Sequence, residues 1–348
     1  MNSILREDIK KIALNNLVNW DELKNKRILI TGATGLICSI MVRAFCLKND
    51  NCNLNLKMFL LVRNAQSAKE LFGNKDYIEY IETSIEEFKP TDLKVDYVIH
   101  AASPTKSKFF IEKPVETIDT AIIGTKNILD FSKLNKVTSM VYLSSMEMYG
   151  VIDSENVTEQ DLGYINPLDV RSSYSEGKRM CELYCYSYYK EYNVPVKIGR
   201  IAQTFGAGVS KNENRVYKVF ADAILNKQDI ILKSLGSTNI NYSYTTDTII
   251  AIIYLLLNGK NGEAYNIVGE KTNMTILDSA KWLAKEFGNG MTNVKIEIPA
   301  ENAGFAPDNK MILSNEKLKN TGWKSEYNLK QGYERLLKYL KEERANEE

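Results

Sequence analysis

Residues 27–38 read R-I-L-I-T-G-A-T-G-L-I-C, and this stretch decides the fold. The apolar run at 27–30 predicts a strand, and the apolar segment after residue 38 predicts a helix. A glycine turn between a strand and a helix is the setting in which chains bind the diphosphate of a dinucleotide. Gly32 permits the tight turn, and Gly35 lets the backbone approach the diphosphate at the helix N-terminus. The sequence therefore predicts a dinucleotide-binding unit that begins at residue 27.

The glycine spacing is G-x-x-G-x-x-C, so Cys38 takes the place of a third glycine. Cysteine is small enough to allow the close helix–strand packing that this position requires. A glycine turn with no ligand is the alternative, which the strand–turn–helix context makes weaker. The cofactor-binding residues predicted in this turn are Gly32, Thr34, Gly35, Leu36 and Ile37.

Further strands alternate with helices up to residue 201. Buried-strand patterns end at Val62, Ala102, Ser145 and Ile201, and a helix is predicted at 114–134. This repeated β-α-β order predicts an α/β protein with a Rossmann-type, doubly wound parallel sheet.

The chain divides into three expected parts. Residues 1–26 predict an N-terminal helical extension, for which we favour packing against the domain edge or a subunit partner. Residues 27–205 predict an NAD(P)-binding Rossmann domain. Past residue 205 the pattern loosens, so 206–348 predict a smaller, mainly substrate-binding portion, some of whose strands return to the Rossmann sheet.

The ends of two strands bear on the cofactor. An acid after the second strand normally holds the ribose hydroxyls of NAD, whereas an arginine suits the extra phosphate of NADP. This chain has Arg63 and Asn64 there, so NAD and NADP both stay open, and Arg63 as a plain surface charge is an equal alternative. Ala101 and Ala102 are small enough for close approach to a cofactor, and Ser103 follows them; all five are predicted cofactor-binding residues.

Tyr174 and Lys178 are four residues apart, so on a helix they share one face. A lysine ammonium beside a phenol favours phenolate and lowers the tyrosine pKa from ~10 toward neutrality. A tyrosine of that pKa can exchange a proton with a sugar hydroxyl at pH 7. Ser145 ends an apolar run where a strand would deliver a hydroxyl to the same site. A solvated helix face is the alternative, which the pattern alone would favour.

Composition excludes several classes of protein. The 348 residues carry a formal net charge of +1, which gives no reason to propose a nucleic-acid partner. No apolar run approaches the ~20 residues that span a bilayer, and the first residues do not resemble a secretory signal. Five cysteines without a C-x-x-C pair fit free thiols in the cytoplasm. The single histidine, His100, argues against a Ser-His-Asp hydrolase and a histidine-rich metal site.

Five ordered motifs carry a resemblance to a known family. T-G-A-T-G-L-I-C, H-A-A-S-P, L-S-S-M-E-M-Y-G, Y-S-E-G-K and S-Y-T-T-D resemble the extended short-chain dehydrogenase/reductases, over roughly residues 27–342. H-A-A-S-P, Y-S-E-G-K-R-M-C-E and E-N-R-V look most like the UDP-glucuronate decarboxylase branch. The resemblance implies a cofactor-dependent enzyme acting on a nucleotide-activated sugar. It also implies a homodimer through helices at 114–134 and 174–189.

The resemblance implies catalytic roles for four residues. Tyr174 would remove the proton of the sugar 4-hydroxyl, Lys178 would tune Tyr174, and both would contact the nicotinamide end of the cofactor. Ser145 would bond the same hydroxyl. Related 4,6-dehydratases have Thr-Asp-Glu where this chain has Ser145, Met146 and Glu147. Because Met146 cannot donate a proton, 4,6-dehydration is disfavoured, whereas Glu147 retains the carboxylate of the decarboxylases; a surface charge is its alternative.

The substrate pocket departs from the family pattern. Two arginines expected to bind the substrate diphosphate are absent: Ile240 stands at one place, and Phe305 or Ala306 at the other. Gln203 replaces an asparagine and Ser84 an adenine-contacting acid. Cations that remain available to compensate are Arg215, Lys211, Lys218 and Lys233. The predicted substrate-binding residues are Ser103, Ser145, Met146, Gln203 and Arg215.

The sequence thus predicts NAD(P)-dependent modification of a nucleotide-linked sugar through a 4-keto intermediate. Its sharpest version is decarboxylation of UDP-glucuronate to UDP-xylose. The alternative is an NADPH-dependent reductase or dehydrogenase, or an epimerase, of a nucleotide-linked or phosphorylated sugar. A non-enzymatic NAD(P)-sensing protein is disfavoured by the intact Ser145, Tyr174 and Lys178. No metal, nucleic acid or membrane is expected.

Overall fold

A parallel sheet of seven strands forms the centre of the computed structural model, which describes residues 1–298 and 309–346. The strands of the described residues are β1 (Arg27–Thr31), β2 (Lys57–Val62), β3 (Ile78–Glu82), β4 (Tyr97–His100), β5 (Ser139–Ser145), β6 (Val196–Ile201), β7 (Gln203–Phe205), β8 (Ile230–Leu232), β9 (Asn239–Ile240), β10 (Tyr242–Tyr244), β11 (Ala264–Ile267), β12 (Met274–Thr275) and β13 (Val294–Ile296). The helices are α1 (Ser3–Ala13), α2 (Leu36–Cys52), α3 (Ala65–Phe72), α4 (Ser107–Glu112), α5 (Pro114–Asn135), α6 (Ser172–Tyr192), α7 (Val216–Leu225), α8 (Thr245–Asn258), α9 (Ile276–Phe287), α10 (Glu316–Lys319) and α11 (Leu329–Ala345), with 3₁₀ turns at Trp20–Leu23 and Met146–Tyr149.

The central sheet has the strand order β11-β6-β5-β4-β1-β2-β3, with every pair parallel. The chain runs from β1 outward to β3, then crosses over to β4 and continues to the other edge. Ligands of such sheets bind beyond the carboxyl ends of the strands, where the direction of winding reverses. That point lies between β1 and β4. The predicted doubly wound parallel sheet is confirmed.

Helices cover both faces of the sheet, which explains why its inner strands β1, β4 and β5 are almost completely buried. Along β1, Ile28 and Ile30 pack into one hydrophobic cluster with α2, α8 and α11. Leu29 points the other way, into a second cluster with α5 and α6. This alternation is the two-residue period of a strand buried on both sides. The strand expected at 95–102 is shorter, at Tyr97–His100, and the helix expected at 114–134 runs to Asn135.

The chain beyond β6 adds one strand to the sheet and builds small pairings beside it. β11 pairs with β6 at the sheet edge, while β7–β10 and β8–β13 pair in parallel and β9–β12 pair antiparallel. These strands are two to four residues long. They place the loops after β6 next to the carboxyl edge of the sheet.

The N-terminal extension packs on the rest of the chain. Ile4, Ile9 and Ile12 of α1 are buried in the cluster that includes α11. Asp8 is 1% exposed, and its carboxylate accepts hydrogen bonds from Tyr244 Oη at 2.7 Å and Arg335 Nη2 at 2.7 Å. Among the described helices, none combines the length and apolar character needed to cross a membrane.

Candidate active site

The glycine turn after β1 lies against the segment after β4. Gly32 has φ +65°, and a Cβ there would lie 2.9 Å from the Ala101 carbonyl group and from Ala102 N. Thr31 Oγ1 accepts hydrogen bonds from Ala101 N at 3.1 Å and Ala102 N at 3.0 Å. The two segments are therefore fixed to each other, and only glycine fits the turn. Sequence reasoning missed Thr31; its signal is a polar residue that ends a buried strand just before the glycine turn.

The buried His100 joins this turn to the helix behind it. Its Nδ1 lies 2.8 Å from Thr31 Oγ1, and its Nε2 lies 3.1 Å from Thr125 Oγ1. Burial lowers the pKa of His100 to about 3, and the Lys178 charge acts in the same direction. The imidazole is therefore neutral at physiological pH.

The N-terminus of α2 opens toward the carboxyl edge of the sheet. Thr34 and Gly35 are exposed, Leu36 and Ile37 are half-buried, and no side chain caps the helix. The first turn holds no acidic residue. Free backbone N–H groups and the helix dipole favour an anionic ligand at such an end. Together with the Gly32 turn, whose space a Cβ would fill, these residues fit the diphosphate of a dinucleotide.

Arg63 and Asn64 follow β2, where the sequence places the residues that distinguish NAD from NADP. Arg63 is exposed, and none of the described residues forms an ion pair with it. Asn64 caps α3, because its side-chain oxygen accepts a hydrogen bond from Ser67 N at 2.8 Å. Asn64 thus has a structural task that the sequence interpretation did not assign.

Tyr174 and Lys178 lie on one face of α6, both buried. Burial raises the pKa of Tyr174 above its ordinary value, and the Glu147 charge raises it further. Burial also lowers the pKa of Lys178 to about 8. Lys178 Nζ donates to Leu143 O at 2.8 Å and lies 5.7 Å from the Tyr174 ring centroid. The predicted lowering of the Tyr174 pKa is therefore wrong for this structure, because burial outweighs the opposing charges.

Ser145 and Glu147 lie directly at the carboxyl end of β5. Ser145 is its last residue, and Ser145 Oγ accepts a hydrogen bond from Glu147 N at 3.2 Å. A hydrogen bond with Ser145 acts to lower the pKa of Tyr174. Met146 is half-buried and packs against a small hydrophobic cluster. Ser145, Glu147 and Tyr174 therefore lie close together at the carboxyl edge of the sheet.

Arg171 is a site residue that sequence reasoning missed. Its Nη2 lies 2.7 Å from Glu147 Oε2, and its charge also acts on Tyr174. Its position immediately before the S-S-Y-S-E-G-K helix was the available signal.

Phe110 of α4 was missed as well. Its ring stacks on the Tyr174 ring, with 4.3 Å between centroids and 9° between planes. Phe110 is 1% exposed, and its carbonyl oxygen accepts a hydrogen bond from Ser173 Oγ at 3.2 Å. No spacing rule connects residues 110 and 174, so the sequence gives no signal for this contact.

Arg215 closes the site from the side of α7. Its Nη2 donates to Thr105 O at 2.8 Å, and its Nη1 lies 2.7 Å from Glu213 Oε2. Its charge acts to lower the pKa of Tyr174. Gln203 is half-buried at the start of β7, and Ser103 Oγ donates to Pro104 O at 3.2 Å. These side chains surround the same edge of the sheet.

The residues that depart from the family pattern, and the lysines that could compensate for them, lie in different surroundings. Ile240 is 5% exposed and belongs to the main hydrophobic cluster, so that place is apolar. Lys218 Nζ forms an ion pair with Asp222 Oδ2 at 2.6 Å, so its charge is already paired within α7. Lys233 is exposed. Phe305 and Ala306 lie outside the described residues.

A buried ion pair holds the strands that carry the site. Arg200 Nη2 of β6 lies 2.7 Å from Glu182 Oε2 of α6. Arg200 Nη1 also donates a hydrogen bond to Tyr149 Oη at 2.9 Å. Ser144 Oγ donates to the same Glu182 carboxylate. The end of β5, the turn with Glu147 and the helix with Tyr174 are therefore tied together. Within the described ranges, no cluster of three or more His, Cys, Asp or Glu side chains could hold a metal ion.

Comparison with known proteins identifies relatives of this chain. Residues 28–268 match the model of the NAD dependent epimerase/dehydratase family. UDP-glucuronic acid decarboxylase 1 of Danio rerio is 28% identical over 284 residues, which are 80% of this chain and 66% of that protein. UDP-glucuronic acid decarboxylase 6 of Arabidopsis thaliana is 28% identical over 311 residues, which are 88% of this chain and 87% of that protein. The crystal structure of UDP-glucuronic acid 4-epimerase from Bacillus cereus, with UDP-glucuronic acid and NAD, has a TM-score of 0.74 at 22% identity and covers 90% of this chain and 99% of its own.

Proposed function

Because the chain belongs to the NAD dependent epimerase/dehydratase family, we propose that it modifies a nucleotide-linked sugar through a 4-keto intermediate, with NAD as its cofactor. The observation that carries the proposal is the meeting of Ser145, Glu147 and Tyr174 beside the glycine turn of Gly32. The decarboxylase relatives support a nucleotide-linked sugar as the substrate class.

The residues divide the chemistry among them. Tyr174 accepts the proton of the sugar 4-hydroxyl, and Ser145 bonds that hydroxyl and orients it. When bound, NAD would supply the acceptor for the hydride of carbon 4 and the donor that returns it. Gly32 and the N-terminus of α2 hold the cofactor diphosphate, and Lys178 contacts its nicotinamide end.

We propose decarboxylation of UDP-glucuronate to UDP-xylose as the specific reaction. A ketone at carbon 4 stands β to the carboxylate on carbon 5, so loss of carbon dioxide leaves an electron pair that the ketone stabilises. Glu147 would orient a water molecule that delivers the proton taken up at carbon 5 when carbon dioxide leaves. Met146 carries no exchangeable proton, which argues against elimination of water across carbons 5 and 6.

The test is incubation of the purified protein with UDP-glucuronate and NAD, with products followed by mass spectrometry. We expect carbon dioxide and a UDP-pentose. Tyr174→Phe should abolish turnover and leave NAD binding nearly unchanged, whereas Tyr164→Phe, at a tyrosine that is 68% exposed, should leave both unchanged. Intact UDP-glucuronate in the presence of bound NAD would refute decarboxylation, and turnover by Tyr174→Phe would refute the role of Tyr174.

A reductase that consumes NADPH is the second candidate, and Arg63 favours it. This arginine is exposed at the end of β2, where the 2′-phosphate of NADP would lie. An enzyme of internal redox should retain its cofactor through purification, whereas a reductase should exchange it freely. Tight NADP binding that Arg63→Ala weakens at least tenfold, with NAD binding unchanged, would support the reductase.

We also propose a homodimer through α5 and α6. Their outer faces expose Ile118, Ile123, Met180, Leu183 and Tyr186, each between 42% and 57%. Two such helices from each protomer can pack as a four-helix bundle, which would bury these side chains. Light scattering should show a dimer that Leu183→Glu converts to a monomer. Leu71→Glu, at an exposed leucine of α3, is the matched control and should remain dimeric.

A cytoplasmic location is proposed from the cysteines. All five are free thiols, and four of them are buried. Free buried thiols suit a reducing compartment. Fractionation of cells that express the tagged protein should recover it with cytoplasmic markers, and recovery in another compartment would refute this location.

A further inference from the structure

Four side chains of the site touch in series, from Glu147 through Arg171 and Phe110 to Tyr174. We propose that Arg171 and Phe110 form a clamp of two positioning residues, which fixes Glu147 and Tyr174 relative to each other. The clamp rests on the proposed function, in which Tyr174 acts at the 4-hydroxyl and Glu147 at the neighbouring carbon.

Arg171 forms the half of the clamp that holds Glu147. Its guanidinium bonds the Glu147 carboxylate at 2.7 Å, and the side chains are 17% and 34% exposed. The Arg171 backbone N donates to Asp169 Oδ1 at 2.9 Å, so the residue itself is anchored where α6 begins. Its guanidinium carbon also lies 5.0 Å from the Phe110 ring centroid, within cation–π range. The Arg171 guanidinium therefore contacts Glu147 and Phe110 at the same time.

Phe110 forms the half that holds Tyr174. The parallel rings at 4.3 Å cover one face of the phenol, and Phe110 is 1% exposed. Two hydrogen bonds fasten its segment: Ser173 Oγ to Phe110 O at 3.2 Å, and Arg215 Nη2 to Thr105 O at 2.8 Å. The phenol is thus shielded on one face, and its hydroxyl is left directed toward Ser145.

The clamp matters because the reaction uses two side chains at adjacent carbons of one sugar ring. Reacting groups must be held within fractions of an ångström, and small displacements lose large factors in rate. Tyr174 is on α6 and Glu147 is on the turn after β5, so their own elements do not fix their side chains against each other. The Arg200–Glu182 ion pair ties the two elements together, and the Arg171–Phe110 pair connects the two side chains themselves.

The first test needs no sugar and measures access to Tyr174 directly. Tetranitromethane nitrates accessible tyrosines, and trypsin releases residues 172–178, S-S-Y-S-E-G-K, in which Tyr174 is the only tyrosine. Phe110→Leu keeps a buried apolar side chain but removes the flat ring. Phe109→Leu changes the neighbouring residue, which is 37% exposed, and serves as the matched control. Exposed Tyr164 is the internal reference for reagent strength.

We expect nitration of Tyr174 to be slow in the wild type and in Phe109→Leu, and about tenfold faster in Phe110→Leu. Equal rates in all three proteins would overturn the Phe110 half of the clamp. Because this readout uses no substrate, it decides the proposal even if no nucleotide-linked sugar is turned over.

The second test asks whether Arg171 acts through Glu147. Arg171→Met should lower kcat about tenfold or more with little change in KM, and Arg171→Lys should restore part of the loss. In a Glu147→Gln background, Arg171→Met should cause less than about a twofold further loss, since its partner is already altered. Additive losses in the double variant, or no loss from Arg171→Met alone, would overturn the Arg171 half. Failure of the wild type on every sugar would refute the proposed function and leave the nitration result standing.

Discussion

Replacing Lys197 with Met should stabilise the protein at neutral pH, because this lysine is a buried cation that forms no ion pair with any carboxylate of the described residues. Lys197 is 4% exposed in β6, and its Nζ donates to Ser139 Oγ at 2.6 Å and Pro195 O at 3.4 Å. Ser139 Oγ in turn donates to Leu256 O at 2.6 Å, so its lone pairs face the ammonium. Burial lowers the pKa of Lys197 from 10.5 to about 8. The charged form is therefore disfavoured in the folded state.

The magnitude follows from that difference in pKa. At about 1.4 kcal/mol per pKa unit, the gap between 10.5 and about 8 corresponds to about 3 kcal/mol. Below pH 8 Lys197 is charged in both the folded and the unfolded state, so burying the charge lowers the free energy of unfolding by the full amount. Between pH 8 and 10.5 the unfolded state holds more protons than the folded state, so stability rises with pH by about 1.4 kcal/mol per pH unit. Lys197→Met removes both the cost and this rise.

Urea-induced unfolding at pH 7, 8, 9 and 10 measures the effect. We expect Lys197→Met to exceed the wild type by about 1–3 kcal/mol at pH 7, and the difference to shrink steadily above pH 8. Lys285→Met, at an exposed lysine of α9, should follow the wild type at every pH. Lys197 lies at the amino-terminal side of the sheet, opposite Val141, so turnover should be unchanged. A difference between wild type and Lys197→Met that does not vary with pH would refute the reasoning.

Three further substitutions test other parts of the structure. Gly32→Ala forces a Cβ against the Ala101 backbone at positive φ, so it should weaken NADH binding by more than tenfold in a fluorescence titration, with unchanged binding as the contrary result. Asp8→Ala removes the carboxylate that accepts from Tyr244 Oη and Arg335 Nη2 and leaves Arg335 with Glu7 at 3.1 Å, so it should lower the free energy of unfolding in urea by about 2–3 kcal/mol; no loss would refute this role of Asp8. Burial raises the pKa of Asp247 from 3.8 to about 7, so the folded state binds the proton more tightly and stability falls as pH rises across that window. Asp247→Asn should remove this fall, and an unchanged pH dependence of unfolding would contradict it.

The fold was predictable because its signals are local. The strand at 27–31, the turn at Gly32 and the helix from Leu36 are consecutive in sequence, and each has a periodicity or a glycine that marks it. The repeated β-α-β order then leaves few topologies. Beyond residue 201 the signals fail, since strands of two to four residues are too short to show alternation. Their pairing depends on how distant loops dock, which no local pattern records.

The candidate site was predictable only where residues share an element. Ser145 and Glu147 share one strand end, and Tyr174 and Lys178 share one helix face, so spacing alone places each pair. Arg171 and Phe110 reach the site through tertiary packing, across 24 residues to Glu147 and 64 residues to Tyr174. Such contacts depend on how the loops pack at the edge of the sheet, which sequence spacing does not predict.

The Tyr174 pKa shows why a motif alone misjudges its own chemistry. The Tyr–Lys spacing predicts mutual electrostatic support, yet the burial that brings the two side chains together disfavours charge on both. With a pKa of about 8, Lys178 still carries its charge at neutral pH, but its ammonium donates to Leu143 O. Phenolate at Tyr174 must therefore be supported by other groups, and the charges of Arg215 and Arg171 act in that direction. Arg171 is paired with Glu147 and Arg215 with Glu213, so each of these charges reaches Tyr174 partly neutralised by its own carboxylate.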